Sequence, residues 1–199
     1  MSGDEWEAAG RRSPRTALGW FRFLARHPTH YRLSDRSQAL PIPWPDGFDP
    51  RRNPVFAHNA LEIPAPADVV FSVLVDATGW PVFYPNAADV RIEGGAETLL
   101  RPGARFAWKT FATWQRSEVV MFERDVSLGW TADSPGTRAF HRWVLEPTAN
   151  GTRVVTEECQ HGMIACIDRR WMNRSLSATH QIWLERLRDH VRDGAARLG

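Results

Sequence analysis

The feature that most constrains this fold is a long segment near the C-terminus whose hydrophobic period differs from that of the residues before it. From Ile164 to Val191 there are 28 residues without proline or glycine, which predicts a single helix about 42 Å long. Apolar or aromatic residues three or four positions apart predict that one face of this helix is buried. That face carries Leu176, His180, Trp183, Leu184, Leu187 and Val191.

The residues before this helix alternate between apolar and polar side chains, as strands with one buried face do. Asn150-Gly151 is a strong hairpin signal and predicts that the last two strands are antiparallel neighbours. Two short helices are expected after the first strand, with Asp68 as the N-cap of the first. This order predicts an α+β fold with a mainly antiparallel sheet. Its seven strands are expected at Phe56–Ile63, Asp89–Glu93, Ala104–Trp114, Ser117–Glu123, Ser127–Asp133, Thr137–Glu146 and Thr152–His161.

Residues 1–54 differ from residues 55–199 because they are rich in proline and arginine. A short helix is expected at Ala17–Leu24, while Pro41–Pro45 must be extended. We predict an arm, residues 1–54, that lies against a main domain, residues 55–199. A basic arm can also grip phosphates, but its arginines are not clustered densely enough to favour that interpretation. Its expected anchors are Trp20, Phe21, Phe23 and Trp44.

Composition narrows the function classes. The net charge of +2 argues against a surface built as a whole to attract nucleic acid, and ten tryptophans against two tyrosines favour a bulky core or the wall of a cavity for flat apolar molecules.

Cys159 and Cys166 have no zinc-site spacing, and we expect two reduced, buried thiols. No signal peptide and no apolar run of about 20 residues is visible, so a cytoplasmic protein without a transmembrane segment is expected.

Three motifs, in order, resemble those of the START/Bet v 1-like (SRPBCC) superfamily and its polyketide cyclase/dehydrase members. Ile63–Phe71 resembles the junction of the opening strand and first helix, and Asp76–Pro85 resembles the second-helix motif. Leu184–Val191 resembles the end of the long helix, with Arg188 where lysine is common. The resemblance covers about residues 55–195, while residues 1–54 have no counterpart.

This resemblance implies a helix-grip fold, in which a curved antiparallel sheet wraps around the long helix and encloses an apolar cavity. Members bind lipids, sterols, polyketides or plant hormones there, and some catalyse cyclisation or dehydration of polyketides. The superfamily shares no universal catalytic set, so no active-site residue carries over, and the fold does not decide the function.

The aromatic residues give the first site candidates. The strand pattern predicts that Trp108, Trp114, Trp130 and Trp143 point inward and that Trp183 faces them from the helix. They form either a stacking wall for a flat ligand or a filled core. Three further aromatic residues surround the second short helix: Trp80, Phe83 and Tyr84. They either lie near the mouth of the cavity or simply pack this helix against the sheet.

His141 is the one catalytic candidate, because it shares the expected inner face with Trp143. Burial lowers the pKa of a histidine, which can then act as a neutral base; the alternative is a buried histidine satisfied by a neighbour. Weaker ligand-binding candidates are His161, His180 and Thr110. Glu157 and Glu158 are adjacent on a strand and must face opposite sides of the sheet. No spacing suggests a metal site, and no cofactor motif is present.

Three hypotheses follow. The first is a protein that binds a hydrophobic, aromatic or polyketide-like small molecule. The second is a polyketide cyclase or dehydratase in which His141, helped by Thr110 or a cavity acid, moves a proton. The third is a protein-interaction module that docks through residues 1–54. Whether the chain is an enzyme, and whether it forms a homodimer, stays open.

Overall fold

The computed structural model describes Thr16, Gly19, residues 34–95 and residues 97–195. A short 3-10 turn at Arg36–Gln38 precedes the main domain, and another at Ala77–Gly79 joins the first two helices. The elements then run β1 (Val55–Ile63), α1 (Ala67–Val75), α2 (Trp80–Phe83), β2 (Ala88–Ile92), β3 (Arg105–Thr110), β4 (Thr113–Glu123), β5 (Ser127–Ser134), β6 (Thr137–Thr148), β7 (Gly151–His161), α3 (Met163–Ile167) and α4 (Arg169–Ala195).

The seven strands form one curved antiparallel sheet in the order β1-β7-β6-β5-β4-β3-β2. The α+β class and the expected hairpin between the last two strands are confirmed, since Thr148 pairs with Gly151. Gly151 adopts φ +148, and a Cβ there would lie 2.2 Å from the carbonyl oxygen of Ile63. Only glycine therefore fits this turn.

Helix α4 packs against the inner face of the sheet, and the predicted buried face is confirmed. Trp183, Leu184, Leu187 and Val191 belong to the main core, with side chains from every strand of the sheet and from α1. No helix in the described ranges is long and apolar enough to span a membrane.

The helix begins later than the sequence predicts. Residues Met163–Ile167 form the separate short helix α3, and the non-helical backbone of Asp168, with φ −137 and ψ 86, separates α3 from α4. The Asp168 carboxylate then accepts a hydrogen bond from the N–H of Trp171 at 3.0 Å and caps α4. Cys159 is buried, but Cys166 on α3 is exposed, so the expectation of two buried thiols is wrong.

The expected strand Ala104–Trp114 is also wrong, because the chain reverses inside it. Phe111 and Ala112 both have positive φ angles, +50 and +59, and they form the β3–β4 turn. Asn86 supports this turn by accepting a hydrogen bond from the N–H of Phe111 at 2.7 Å. Trp114 therefore lies on β4 opposite Lys109, on the outer surface.

The start of α1 differs as well. Its N-cap is Pro66, and no side chain caps it. Asp68 lies inside the first turn instead, where the negative charge of its carboxylate interacts favourably with the positive end of the helix dipole and stabilises the helix.

Residues 34–54 cover the outer face of β6 and β7. Trp44 packs edge-on against Phe56 and Phe140, with ring centroids 6.1 and 5.7 Å away. Phe48 adds a second contact on Phe140 at 5.9 Å. Trp44 is therefore an anchor as predicted, whereas Trp20, Phe21, Phe23 and the helix expected at Ala17–Leu24 lie outside the described residues, Gly19 apart.

A buried ion pair fastens this part of the arm. Arg142 and Glu157 have fully buried side chains, and their atoms Nη2 and Oε2 lie 2.6 Å apart. The Arg142 guanidinium also donates to the carbonyls of Leu40, Ile42 and Pro43, and its Cζ lies 4.0 Å from the centroid of the Trp44 ring. Each donor of this cation thus has a partner, as a buried charge requires.

Hydrogen-bond donors from the arm and from β1 also surround the carboxylate of Glu157. Its Oε1 accepts hydrogen bonds from His58 at 2.8 Å and from the N–H of Leu40 at 2.9 Å. Burial tends to raise the pKa of this carboxyl, but these hydrogen bonds and Arg142 outweigh burial and hold the pKa below its usual value. The carboxylate is therefore charged at neutral pH and ties the arm to β7.

Replacing Arg142 with methionine should leave Glu157 as a buried charge without its main partner. We expect a loss of roughly 3–5 kcal/mol in the free energy of unfolding, measured by urea denaturation. Arg138→Met is the control, because Arg138 on the same strand pairs with Asp133 in solvent; it should change stability by about 1 kcal/mol at most. Equal losses in the two variants would contradict a clamping role for Arg142.

Candidate functional site

A cavity of about 340 Å³ lies between α4 and the inner face of the sheet. This volume falls in the lower part of the range typical of small-molecule sites, about 300–1,000 Å³. Its exposed lining residues, Thr113, Pro135 and Ile164, mark the end that opens to solvent. Seven of the residues singled out from sequence line it: Tyr84, Trp108, Thr110, Trp130, His141, His180 and Trp183.

One wall of the cavity is aromatic. Tyr84 stacks on Trp183 with centroids 4.1 Å apart and planes at 11°. Trp108 and Trp130 complete this wall, 6.0 and 6.4 Å from Trp183. Rings of this size offer flat apolar surface for another flat molecule.

Several polar atoms of this wall are buried. The Trp108 indole donates to Ser117 Oγ at 3.2 Å, but the indole N–H groups of Trp130 and Trp183 have no hydrogen-bond partner within the described ranges. A buried donor without a partner costs about 1–3 kcal/mol. Burial, reinforced by the charge of Glu158, raises the pKa of the Tyr84 phenol well above its usual range, so this side chain keeps its proton.

Beside this wall lies a buried polar cluster of His141 on β6, Glu158 on β7 and His180 on α4, and the His141 ring is 4.8 Å from that of Trp130. The exposed fractions of the three cluster residues are 3%, 8% and 2%. Glu158 Oε2 lies 3.1 Å from His180 Nε2 and 3.4 Å from His141 Nδ1. A single carboxylate oxygen therefore faces both imidazoles.

Two further side chains support this cluster. Gln160 donates to Glu158 Oε1 at 2.6 Å, and the Oγ1 of Thr156 is 2.7 Å from His141 Nε2. Burial lowers the pKa of His141 well below its usual value, and the charge of His180 lowers it further. His141 is therefore a neutral imidazole at pH 7 and can accept a proton.

The same three residues are the kinds that bind metals, and one ligand atom from each lies within 4.8 Å of the others. However, the rings of His141 and His180 are stacked 4.5 Å apart at 11°. Because imidazole lone pairs lie in the ring plane, two nearly parallel rings do not direct them at one ion. The arrangement is that of a hydrogen-bonded cluster.

Five sequence candidates do not line the cavity. Trp80 is fully buried behind the aromatic wall, where its N–H donates to the carbonyl of Leu74 at 3.0 Å. Phe83 stacks on His190 at 4.7 Å. The expectation that these two residues lie at the mouth is therefore wrong. Trp143 points inward as predicted, but it packs behind Trp183 with centroids 5.0 Å apart.

Trp114 and His161 face away from the cavity. Trp114 is 40% exposed, and its ring lies beneath the cations of Lys109 and Arg91. His161 packs on Phe48 of the arm at 5.2 Å. Alternation along β7 explains the second error, because even-numbered residues there point inward.

Sequence reasoning left open which glutamate faces inward, and it missed Gln160. The register of the β6–β7 hairpin could have identified the inward-facing glutamate. Counting back from the Asn150-Gly151 turn pairs His141 with an even-numbered residue of β7, and the structure pairs it with Glu158. Asn86, whose side-chain amide donates to the hydroxyl of Tyr84 at 3.2 Å, carried no comparable pattern.

Comparison with known proteins agrees with this architecture. The family model described as polyketide cyclase/dehydrase and lipid transport matches residues 57–192, while a comparison with curated proteins finds no match. A hypothetical protein, jhp0584, from Helicobacter pylori is 25% identical with a TM-score of 0.69, over 77% of this chain and 98% of that chain.

Two more distant structures share the fold. The di-domain ARO/CYC StfQ of the steffimycin biosynthetic pathway is 18% identical with a TM-score of 0.58, over 71% of this chain and 52% of that chain. A START superfamily protein from Mycobacterium smegmatis is 11% identical with a TM-score of 0.59, over 69% of this chain and 97% of that chain. Because the family model spans well over half of its residues, this chain belongs to the polyketide cyclase/dehydrase and lipid transport family.

Proposed function

We propose that this protein binds a flat, apolar small molecule, aromatic or polyketide-like, in the cavity between α4 and the sheet. The observation that carries the proposal is that a wall of aromatic rings and a buried His–Glu–His cluster line the same cavity. A ligand with a flat apolar body and one polar group matches both features.

The apolar body is accommodated by the rings of Tyr84, Trp108, Trp130 and Trp183. Aromatic pairs contribute about 0.5–1.5 kcal/mol beyond the burial of their surface. The polar group has two kinds of partner. A carbonyl oxygen can accept from an indole N–H that lacks a partner within the described ranges, and a hydroxyl can donate to His141.

The relatives support the same chemical class. The family description names lipid transport beside polyketide cyclase and dehydrase chemistry, and StfQ is described as a di-domain ARO/CYC from the steffimycin biosynthetic pathway. Lipids are largely apolar, as the wall of this cavity is.

A test of binding uses 2-naphthol as the probe and tryptophan fluorescence as the readout. Ala132 is 6% exposed and lines the cavity, so Ala132→Leu should fill part of the space and weaken binding at least about tenfold. Ala88→Leu adds the same atoms at an exposed position on β2 and should leave the affinity unchanged. Unaltered affinity in Ala132→Leu, with normal thermal stability, would place the probe elsewhere and contradict the proposal.

A second candidate is an enzyme that moves protons on the bound molecule, and the buried His141–Glu158–His180 cluster favours it. In a dehydration, His141 would accept the proton from the carbon beside a carbonyl group. His180, in its protonated form, would donate a proton to the departing hydroxyl, which leaves as water. Glu158 faces both rings and can return the proton from one to the other, so the cluster ends as it began.

The same base also serves a cyclisation. Removing a proton beside one carbonyl forms an enolate, which attacks a second carbonyl of the folded chain, and His180 then protonates the new alkoxide. The aromatic wall would hold the two reacting carbons close together, which lowers the entropic part of the barrier. Thr110 lines the cavity and can donate its hydroxyl to a substrate carbonyl.

The catalytic candidate is tested with 4-hydroxy-4-phenylbutan-2-one, whose dehydration gives a conjugated, ultraviolet-absorbing enone. His141→Gln should lower the rate about 10²-fold or more, while 2-naphthol binding persists because the glutamine side-chain oxygen can still accept a hydrogen bond from the hydroxyl. Because burial lowers the pKa of His141 well below its usual value of 6.5, protonation of this base should begin to lower the wild-type rate only when the pH falls well below 6.5.

His161→Gln is the matched control, since His161 lies on the outer face against Phe48; it should keep the full rate. Turnover that survives His141→Gln, or a wild-type rate no faster than buffer, would remove the catalytic candidate and leave the binding proposal standing.

A further inference from the structure

Five arginines from two distant parts of the chain line one open cleft of about 470 Å³, separate from the cavity. Arg36, Arg51 and Arg52 come from the arm, and Arg169 and Arg170 begin helix α4. We propose that this cleft binds a phosphate-bearing anion. The proposal is independent of the function proposed for the cavity.

Asn173 brings the two parts together. Its side-chain oxygen accepts a hydrogen bond from the N–H of Phe56 at 2.9 Å, and its Nδ2 donates to the carbonyl of Pro54 at 3.1 Å. The loop that carries Arg51 and Arg52 is thereby fixed beside the first turns of α4. The cleft is thus shaped by the fold before any ligand arrives, which lowers the cost of binding.

Arg36 positions this loop and is itself occupied. Its guanidinium donates to the carbonyls of Pro50, Asn53 and Pro54. These contacts hold residues 50–54 in place, but their acceptors are neutral. The positive charge of Arg36 is therefore not cancelled and still contributes to the potential of the cleft.

The other four arginines are available. Arg51, Arg52, Arg169 and Arg170 are exposed, and none of them forms an ion pair with another residue of the described ranges. The acidic side chains next to them in sequence are engaged with backbone: Asp49 accepts from the N–H of Arg51, and Asp168 accepts from that of Trp171.

A neutral donor adds a second, independent observation. Asn53 lines the cleft and is only 8% exposed, and its Nδ2 has no hydrogen-bond partner among the described residues. Buried amide donors are nearly always satisfied in native proteins. An anion in the cleft would give this group an acceptor.

The chemistry of the donors selects the ligand class. Guanidinium groups present paired N–H donors that match the oxygens of phosphate. Several unpaired cations in one cleft favour an anion with more than one charge over a single carboxylate. A phosphate monoester carries about −1.5 to −2 at neutral pH. The cleft therefore suits a phosphate ester, a diphosphate or a phosphate-bearing lipid headgroup.

The test is calorimetric titration of the full chain with inorganic pyrophosphate at low salt. Arg52→Gln/Arg170→Gln removes one guanidinium from each side of the cleft and should weaken binding at least about tenfold. Arg116→Gln/Arg124→Gln is the control, because it makes the same charge change on and just after β4, four strands away from β1 and about 19 Å across the sheet. It should change the affinity less than threefold.

No binding of pyrophosphate by the wild-type protein, or equal losses in the two double variants, would overturn the proposal. Sedimentation with vesicles of phosphatidylglycerol and of phosphatidylcholine identifies the source of the phosphate. Arginine-dependent binding to the first vesicle alone would identify a lipid headgroup, whereas pyrophosphate binding without vesicle binding would identify a free phosphate ester. The cleft variants should bind 2-naphthol as the wild type does, so failure here is distinguishable from failure of the cavity proposal.

Discussion

The structure depends on how one strand buries two adjacent carboxylates. Because side chains alternate along β7, Glu157 faces the arm and Glu158 faces the cavity. A buried carboxylate is costly unless donors surround it. On the outer face those donors are Arg142, His58 and the N–H of Leu40, and on the inner face they are Gln160 and His180. The two requirements explain why β6 and β7 are covered on both sides.

The outer and inner faces of β7 stabilise their buried carboxyl groups in different ways. On the outer face a permanent cation, Arg142, compensates the charge and the arm excludes water, so the pair serves stability. On the inner face the partners are titratable imidazoles beside empty volume. A carboxyl group that contacts imidazoles, which can gain and lose protons, can take part in proton transfer, whereas a carboxylate paired with arginine cannot.

Much of the fold could be predicted from the residues, because hydrophobic period determines which faces can be buried. The α4 face through Trp183 and the inward direction of Trp130 and His141 follow from that rule. The errors have local causes. The reversal at Phe111 and Ala112 uses positive φ angles without glycine or asparagine, and the break at Asp168 uses neither proline nor glycine.

The composition of the site was harder to predict than its location. Single strands do not show which residues meet across them, so Glu158 and Gln160 became visible only when the hairpin register was counted through to His141. The arm alone showed arginines too sparse to favour a phosphate site, because two of the five arginines of the cleft lie more than one hundred residues later in the chain. Convergence of that kind is a property of tertiary structure.

The crowded indoles have a spectroscopic consequence. Trp80 lies with its ring centre 5.3 Å from that of Trp130 and 5.2 Å from that of Trp183. Chromophores this near share their electronic transitions, so light absorbed by one ring is delocalised over its neighbours. The far-ultraviolet circular dichroism of this protein should therefore carry a coupled indole band, an optical fingerprint of the native interior that needs no added label.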